Sequence, residues 1–102
     1  MRLLVMFDMP VVDRTDRSNA VHFRKYLLDH GYIMLQYSVY YRVVKGIDMA
    51  KQYERDLKRH VPDKGSIIAL MITERQYEDM DILVGNRPDN DKKVNPNQLS
   101  TF

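Results

Sequence analysis

Hydrophobic and polar positions fall into short blocks whose period changes along the chain. Leu3 to Phe7 is an uninterrupted apolar run that meets Asp8-Met9-Pro10. Proline has no N–H to donate and pushes the residue before it away from helical backbone, so the pattern predicts a strand that stops there. A polar loop through Asp13 and Arg14 follows, with Thr15 or Asp16 placed to cap a helix. From there to His30, Ala20, Phe23, Tyr26 and Leu27 recur at helical spacing, and Gly31 stands where a left-handed helix stop belongs. Tyr32 to Val44 is rich in tyrosine, valine and isoleucine, has no glycine or proline inside, and reads as one long strand broken by Gly46. Ile47 to His60 is helical again, with Ala50, Tyr53, Leu57 and Val61 on one face. Pro62-Asp63-Lys64-Gly65 is a turn signal. Ser66 to Thr73 is an apolar strand, Glu74 to Asp81 a short helix and Ile82 to Gly85 a brief last strand. These elements are assigned to the βαββαβ, α+β, ferredoxin-like arrangement, with an antiparallel sheet and its helices on one face. Residues 1–85 make one domain on this reading. Residues 86–102, dense in Asn, Asp, Pro and Lys, make a solvated polar arm with Gln98 to Phe102 as a short terminal strand.

A strand with one wet face alternates apolar and polar residues. The first strand and Ser66 to Thr73 do not. Leu3, Val5 and Phe7 oppose Leu4 and Met6, and Ile68, Leu70 and Ile72 oppose Ile67, Ala69 and Met71. Placed centrally, these two strands would carry an apolar patch on the helix-free face. Monomers rarely leave more than several hundred Å² of such surface exposed. A second copy packed through that face by two-fold symmetry covers it most simply, which predicts a homodimer. A polar tail folded back over the face is the competing reading. In the long strand, Ile33, Leu35, Tyr37, Val39, Tyr41 and Val43 share the face suited to the helices. Met34, Gln36, Ser38, Tyr40 and Arg42 share the mixed face expected at the interface rim.

Composition narrows the function classes. The chain of 102 residues is 44% apolar, which sets it apart from disordered chains. No apolar run approaches the ~20 residues of a membrane-spanning helix, and the N-terminus meets an acid and a proline too early for a secretory signal. With no cysteine there is no disulfide framework, thiolate zinc site or cysteine nucleophile, and a cytoplasmic setting with no membrane is expected. Sixteen Lys and Arg against 14 Asp and Glu leave a formal charge of +2, so a nucleic-acid footprint has to come from where the charges sit. Lys51, Arg55 and Lys58 repeat at helical spacing opposite the apolar stripe, with Arg59 alongside and Arg14 and Arg17 near the loop after the first strand. Such a ridge can follow a phosphate backbone without reading sequence; a solvated helix face gives the same pattern. Arg24, between Ala20 and Leu28, is expected in a semi-buried ion pair.

Asp8 ends the first strand on the face of Leu4 and Met6. There it can accept loop N–H groups. If a dimer axis passes nearby, two copies can instead attract a hard divalent cation such as Mg²⁺ for phosphodiester chemistry. His22, His30 and His60 lack metal-ligand spacing, no glycine-rich phosphate loop is present, and Ser38 reads as a strand hydroxyl. An RNA-binding sheet of the same topology would carry aromatics on its third strand, and Ser66 to Thr73 has none.

Together, Phe7-Asp8-Met9-Pro10, Phe23-Arg24-Lys25-Tyr26-Leu27-Leu28 with Gly31, Ile33-Met34-Leu35-Gln36-Tyr37-Ser38-Val39-Tyr40 and Pro62-Asp63-Lys64-Gly65 resemble one family. It is the second CRISPR-associated core protein, the CRISPR-associated endoribonuclease family that partners the CRISPR integrase. The Phe-Asp-Met-Pro form is similar to versions from type II systems, and the resemblance spans residues 2–85. It implies a ferredoxin-like homodimer joined through its sheets and an acidic Mg²⁺ ligand at the end of the first strand, here Asp8, in a catalytic role. It also implies metal-dependent cleavage of RNA or double-stranded DNA, and a part in spacer acquisition as the bridge between two integrase dimers on a DNA prespacer. The C-terminal segment of the family often adds a strand to the partner's sheet and contacts the integrase.

Overall fold

Asp13 caps the first helix, just upstream of the expected Thr15 or Asp16. In the computed structural model, which describes residues 1–88, its carboxylate accepts the Asp16 N–H at 2.7 Å while Asp16 reaches back to the Asp13 N–H. The reciprocal pair satisfies two backbone donors that a helix leaves unpaired at its start. This helix, α1 (Arg14–Asp29), stops as the sequence indicates. Gly31 takes a φ of +83°, and the Gly31 and Tyr32 N–H groups return to the Leu28 and Leu27 carbonyls. A β-carbon on Gly31 would meet only the end of the flexible Arg42 side chain, so it is the backbone conformation that calls for glycine here.

The expected long strand is a hairpin. Its arms are β2 (Ile33–Gln36) and β3 (Val39–Val43), joined at Tyr37-Ser38. Ser38 adopts a φ of +64° and its carbonyl accepts the Phe7 N–H at 3.0 Å. A positive φ at serine is uncommon, so no glycine or proline marks the turn in the sequence. A register shift between Met34 and Gln36 absorbs the irregularity. With β1 (Arg2–Asp8) and β4 (Ser66–Ile72), the hairpin forms one antiparallel sheet of order β2-β3-β1-β4. This is the ferredoxin-like order. Because β3 takes the place beside β1, β4 is an edge strand rather than a central one.

Helices α1 and α2 (Ile47–Lys58) cover the face carrying Leu3 and Val5, whose core includes Phe23, Leu27, Tyr40, Ala50 and Leu57. Phe7 meets Phe23 edge-on with ring centroids 5.1 Å apart and stacks on Tyr40 at 5.8 Å. The faces of the hairpin are therefore reversed from expectation. Tyr40 and Arg42 point at the helices, and Ile33, Leu35 and Tyr41 lie with Leu4 on the other side. The Arg42 guanidinium lies 4.1 Å from the Tyr53 ring centroid and donates to its hydroxyl at 2.7 Å. Long side chains that bury an apolar body and still find a polar partner defeat a simple hydrophobic count. Tyr37, expected among the apolar set, stands exposed in the turn.

The second face is not bare throughout. After β4 the chain crosses to it and forms α3 (Glu74–Glu78), capped by Thr73 and Gln76. Tyr77 packs on Leu4 and Tyr41. Buried Arg2 lies 3.6 Å from the Tyr77 ring centroid and bonds to both Glu74 oxygens, at 2.9 and 3.1 Å. No strand forms at Ile82–Gly85 among the described residues, and Leu83 and Val84 are almost fully exposed. Arg87 ties the base of this loop by donating to the Glu78 carbonyl at 2.8 Å. The expected terminal strand at Gln98 to Phe102 lies outside the described residues. Among those described, no helix is long and apolar enough to cross a membrane.

Hydrogen bonds from Arg2 hold the Glu74 pKa below its ordinary 4.5, against a smaller upward push from burial. The unfolded chain therefore takes up that proton first as pH falls. The stabilisation is complete above about pH 4.5 and disappears as pH drops through the lower folded value. Glu74→Gln is expected to shrink the difference between urea midpoints at pH 3 and pH 7, by a modest amount because the carboxylate is half exposed.

Candidate metal and nucleic-acid site

Phe7 is held inward by Phe23 and Tyr40, so the next residue must face the opposite way. Asp8 accordingly lies at the end of the row Leu4, Met6, Asp8 and opposite Ser66 of β4. Gly65, at a φ of +99°, permits that last pairing, because a β-carbon there would lie 2.7 Å from the Asp8 carbonyl oxygen. Asp8 is exposed, and its carboxylate makes no hydrogen bond or ion pair with the described residues. The loop-capping role open to it in the sequence is not the one it plays here. Beside it the sheet face is apolar and left open by the described residues: Ile68 is 56% exposed and Leu70 51%. The α3 helix covers the rest of this face, where Tyr77 packs on Leu4 and Tyr41 and Glu74 holds Arg2.

The described residues contain no group of three or more His, Cys, Asp or Glu able to hold a metal. The single carboxylate that Asp8 offers from each chain nevertheless suits Mg²⁺, which keeps most of its waters and takes one or two carboxylates. A second copy across the open face would supply the second carboxylate.

The expected basic ridge divides. Lys51, Arg55 and Lys58 border a groove between α2 and β4, where Lys64 joins them. Arg59 lies outside it, 3.6 Å from Asp56. Arg14 and Arg17 are exposed on the first turn of α1, and Arg17 donates to the Val12 carbonyl at 3.2 Å. Lys64, 3.8 Å from buried Asp16, had no helical spacing to reveal it. Arg24 is exposed and pairs with no carboxylate among the described residues, contrary to the expected ion pair. It instead lines a second cavity of about 210 Å³ with Phe7, Met34 and Tyr37. His30 and His60 stack on Tyr26 at 4.0 and 4.2 Å, each ring bonded to the carbonyl four residues back, as helix-end packing. Burial, and then Asp56, raise the Tyr26 pKa, so its hydroxyl stays protonated.

These features define a small ferredoxin-like α+β protein with an acid at the margin of an uncovered sheet face. The family profile of "CRISPR associated protein Cas2" matches residues 1–80. The chain is 43% identical over 102 residues to "CRISPR-associated endoribonuclease Cas2" of Acidovorax ebreus, covering both chains completely. It is 40% identical to the protein of that name from Campylobacter jejuni, covering this chain completely and 71% of the relative. The crystal structure of Streptococcus pyogenes Cas2 superposes with a TM-score of 0.61 at 21% identity, over 82% of this chain and 100% of that one, in agreement on the fold. The chain belongs to the Cas2 family of CRISPR-associated proteins.

Proposed function

We propose that two copies pack through their open sheet faces and bridge two integrase dimers on duplex DNA during CRISPR spacer acquisition. The observation that carries this reading is the half-exposed Ile68 and Leu70 in a sheet face that ends at an unbonded Asp8. Burying apolar surface contributes about 25 cal/mol per Å², and the exposed Ile82–Val84 loop offers more such surface to a neighbour. Arg14 and Arg17, in the helix turn that follows Asp8, contact phosphates. Lys51, Arg55, Lys58 and Arg59 enlarge the field that draws in a polyanion.

A second reading, favoured by the unbonded Asp8 and by the endoribonuclease name of the relatives, is metal-dependent cleavage of RNA or double-stranded DNA. The two Asp8 carboxylates would hold Mg²⁺. The bound ion supplies polarisation of a phosphoryl oxygen and a more acidic water. The chain's own part is to fix the carboxylates through the Phe7 anchor and to neutralise the flanking phosphates. Both roles can coexist.

Duplex affinity measured against salt tests the bridging reading. Arg14→Ala with Arg17→Ala is expected to flatten the slope of log affinity against log salt by about 0.9 for each phosphate contact removed, without altering sequence preference. An unchanged slope would move the DNA contact elsewhere on the protein. Failure to assemble with the cognate integrase in the presence of DNA would remove the bridging role.

A further inference from the structure

The strand β4 is apolar on both sides although it sits at the edge of the sheet. Ile68 and Leu70 belong to the open face. Ile67 and Ala69 turn the other way, into a groove of about 460 Å³ between β4 and α2. Leu57 and Val61 complete an aliphatic floor. Around the rim stand Lys51, Arg55, Lys58 and Lys64, against a single carboxylate, Glu54, which Lys51 approaches to 3.8 Å. Lys58 has no charged partner among the described residues, and the Lys64 side chain is 68% exposed despite its contact with Asp16.

We propose that this groove docks an acidic amphipathic segment of a protein partner. Its aliphatic side chains would cover Val61, Ile67 and Ala69 while its carboxylates face the four cations. Charge complementarity of this kind selects partner and orientation. Nucleic acid fits the groove less well. A duplex presents phosphates on its outside and has nothing apolar to bury on an aliphatic floor. Single strands need ring faces to stack on, and the groove lining has no aromatic residue. The inference goes beyond the bridging role and does not need the dimer, because the groove and the open face lie on opposite sides of β4.

The test uses the full chain and fluorescence anisotropy with a labelled peptide that alternates Glu or Asp with Leu, Ile or Val. A counterpart with Lys in place of every acid serves as the comparison. The acidic peptide should bind and the basic one should not. Lys58→Glu at the rim and Ala69→Trp on the floor should each weaken binding roughly tenfold, the scale of losing one partly desolvated contact. Val21→Lys, on α1 and outside the groove lining, should leave it unchanged. Equal binding of the two peptides, or indifference to both groove variants, would overturn the proposal. So would displacement of the peptide by a short DNA duplex whose own binding Ala69→Trp weakens, which would make nucleic acid the occupant. Loss of self-association in Ala69→Trp would make a second copy the occupant and equally end it.

Discussion

Leu70→Lys is expected to turn the proposed dimer into a folded monomer. Leu70 is half exposed in the single chain, so the substitution removes little from the chain's own core. Two-fold symmetry would place the new ammonium in the seam twice. An unpaired charge left in a desolvated interface costs on the order of 3 kcal/mol, and every ~1.4 kcal/mol is a factor of ten. The dissociation constant should therefore rise about a hundredfold or more for each copy. Val21→Lys is the control, since Val21 is also exposed, at 65% against 51% for Leu70, but belongs to α1 rather than to the open sheet face. Size-exclusion elution with light scattering reads the mass, and circular dichroism confirms that both variants keep the fold. A Leu70→Lys chain that stays dimeric would place the contact on another surface.

Asp8→Asn is expected to lower Mg²⁺-dependent cleavage of RNA or duplex DNA by about a hundredfold or more, since hard cations are held by carboxylate charge. Asparagine keeps the shape of the side chain and removes its charge. Asp8 is exposed and bonds to none of the described residues, so fold and self-association should survive. Cleavage is to be followed with labelled substrates in Mg²⁺ and in chelator, beside the measured mass. Undiminished cleavage by the variant would assign the activity to a contaminant. Spacer acquisition in cells separates the two functional readings: a bridge tolerates Asp8→Asn, and a cutter does not.

Elements with strong punctuation were legible in the sequence. Pro10 ended β1, Gly31 ended α1, and Ala50 and Leu57 marked the inner face of α2. The non-alternating pattern of β1 and β4 revealed two apolar faces before any coordinates, and Asp8 followed from its place beside Pro10. The hairpin did not, because Ser38 turns the chain in a conformation that glycine or asparagine usually signals. Its faces came out reversed because Tyr40 and Arg42 look polar to a count, yet one packs on Phe7 and the other on the Tyr53 ring. Placing β4 at the centre was a consequence of reading that hairpin as one strand. The crossing of α3 to the second face rests on Arg2, Glu74 and Tyr77, residues too far apart in the chain for any local period to connect. The groove was hidden for the same reason, since its rim combines a helix with Lys64 of a loop and its floor draws on the edge strand.

Sedimentation equilibrium of the unsubstituted chain at micromolar concentration tests the central claim most directly. Burial of Ile68 and Leu70 against their symmetry mates predicts the mass of two chains. A well-folded species with the mass of one chain would contradict it, leaving each Asp8 alone and the bridge without its second half.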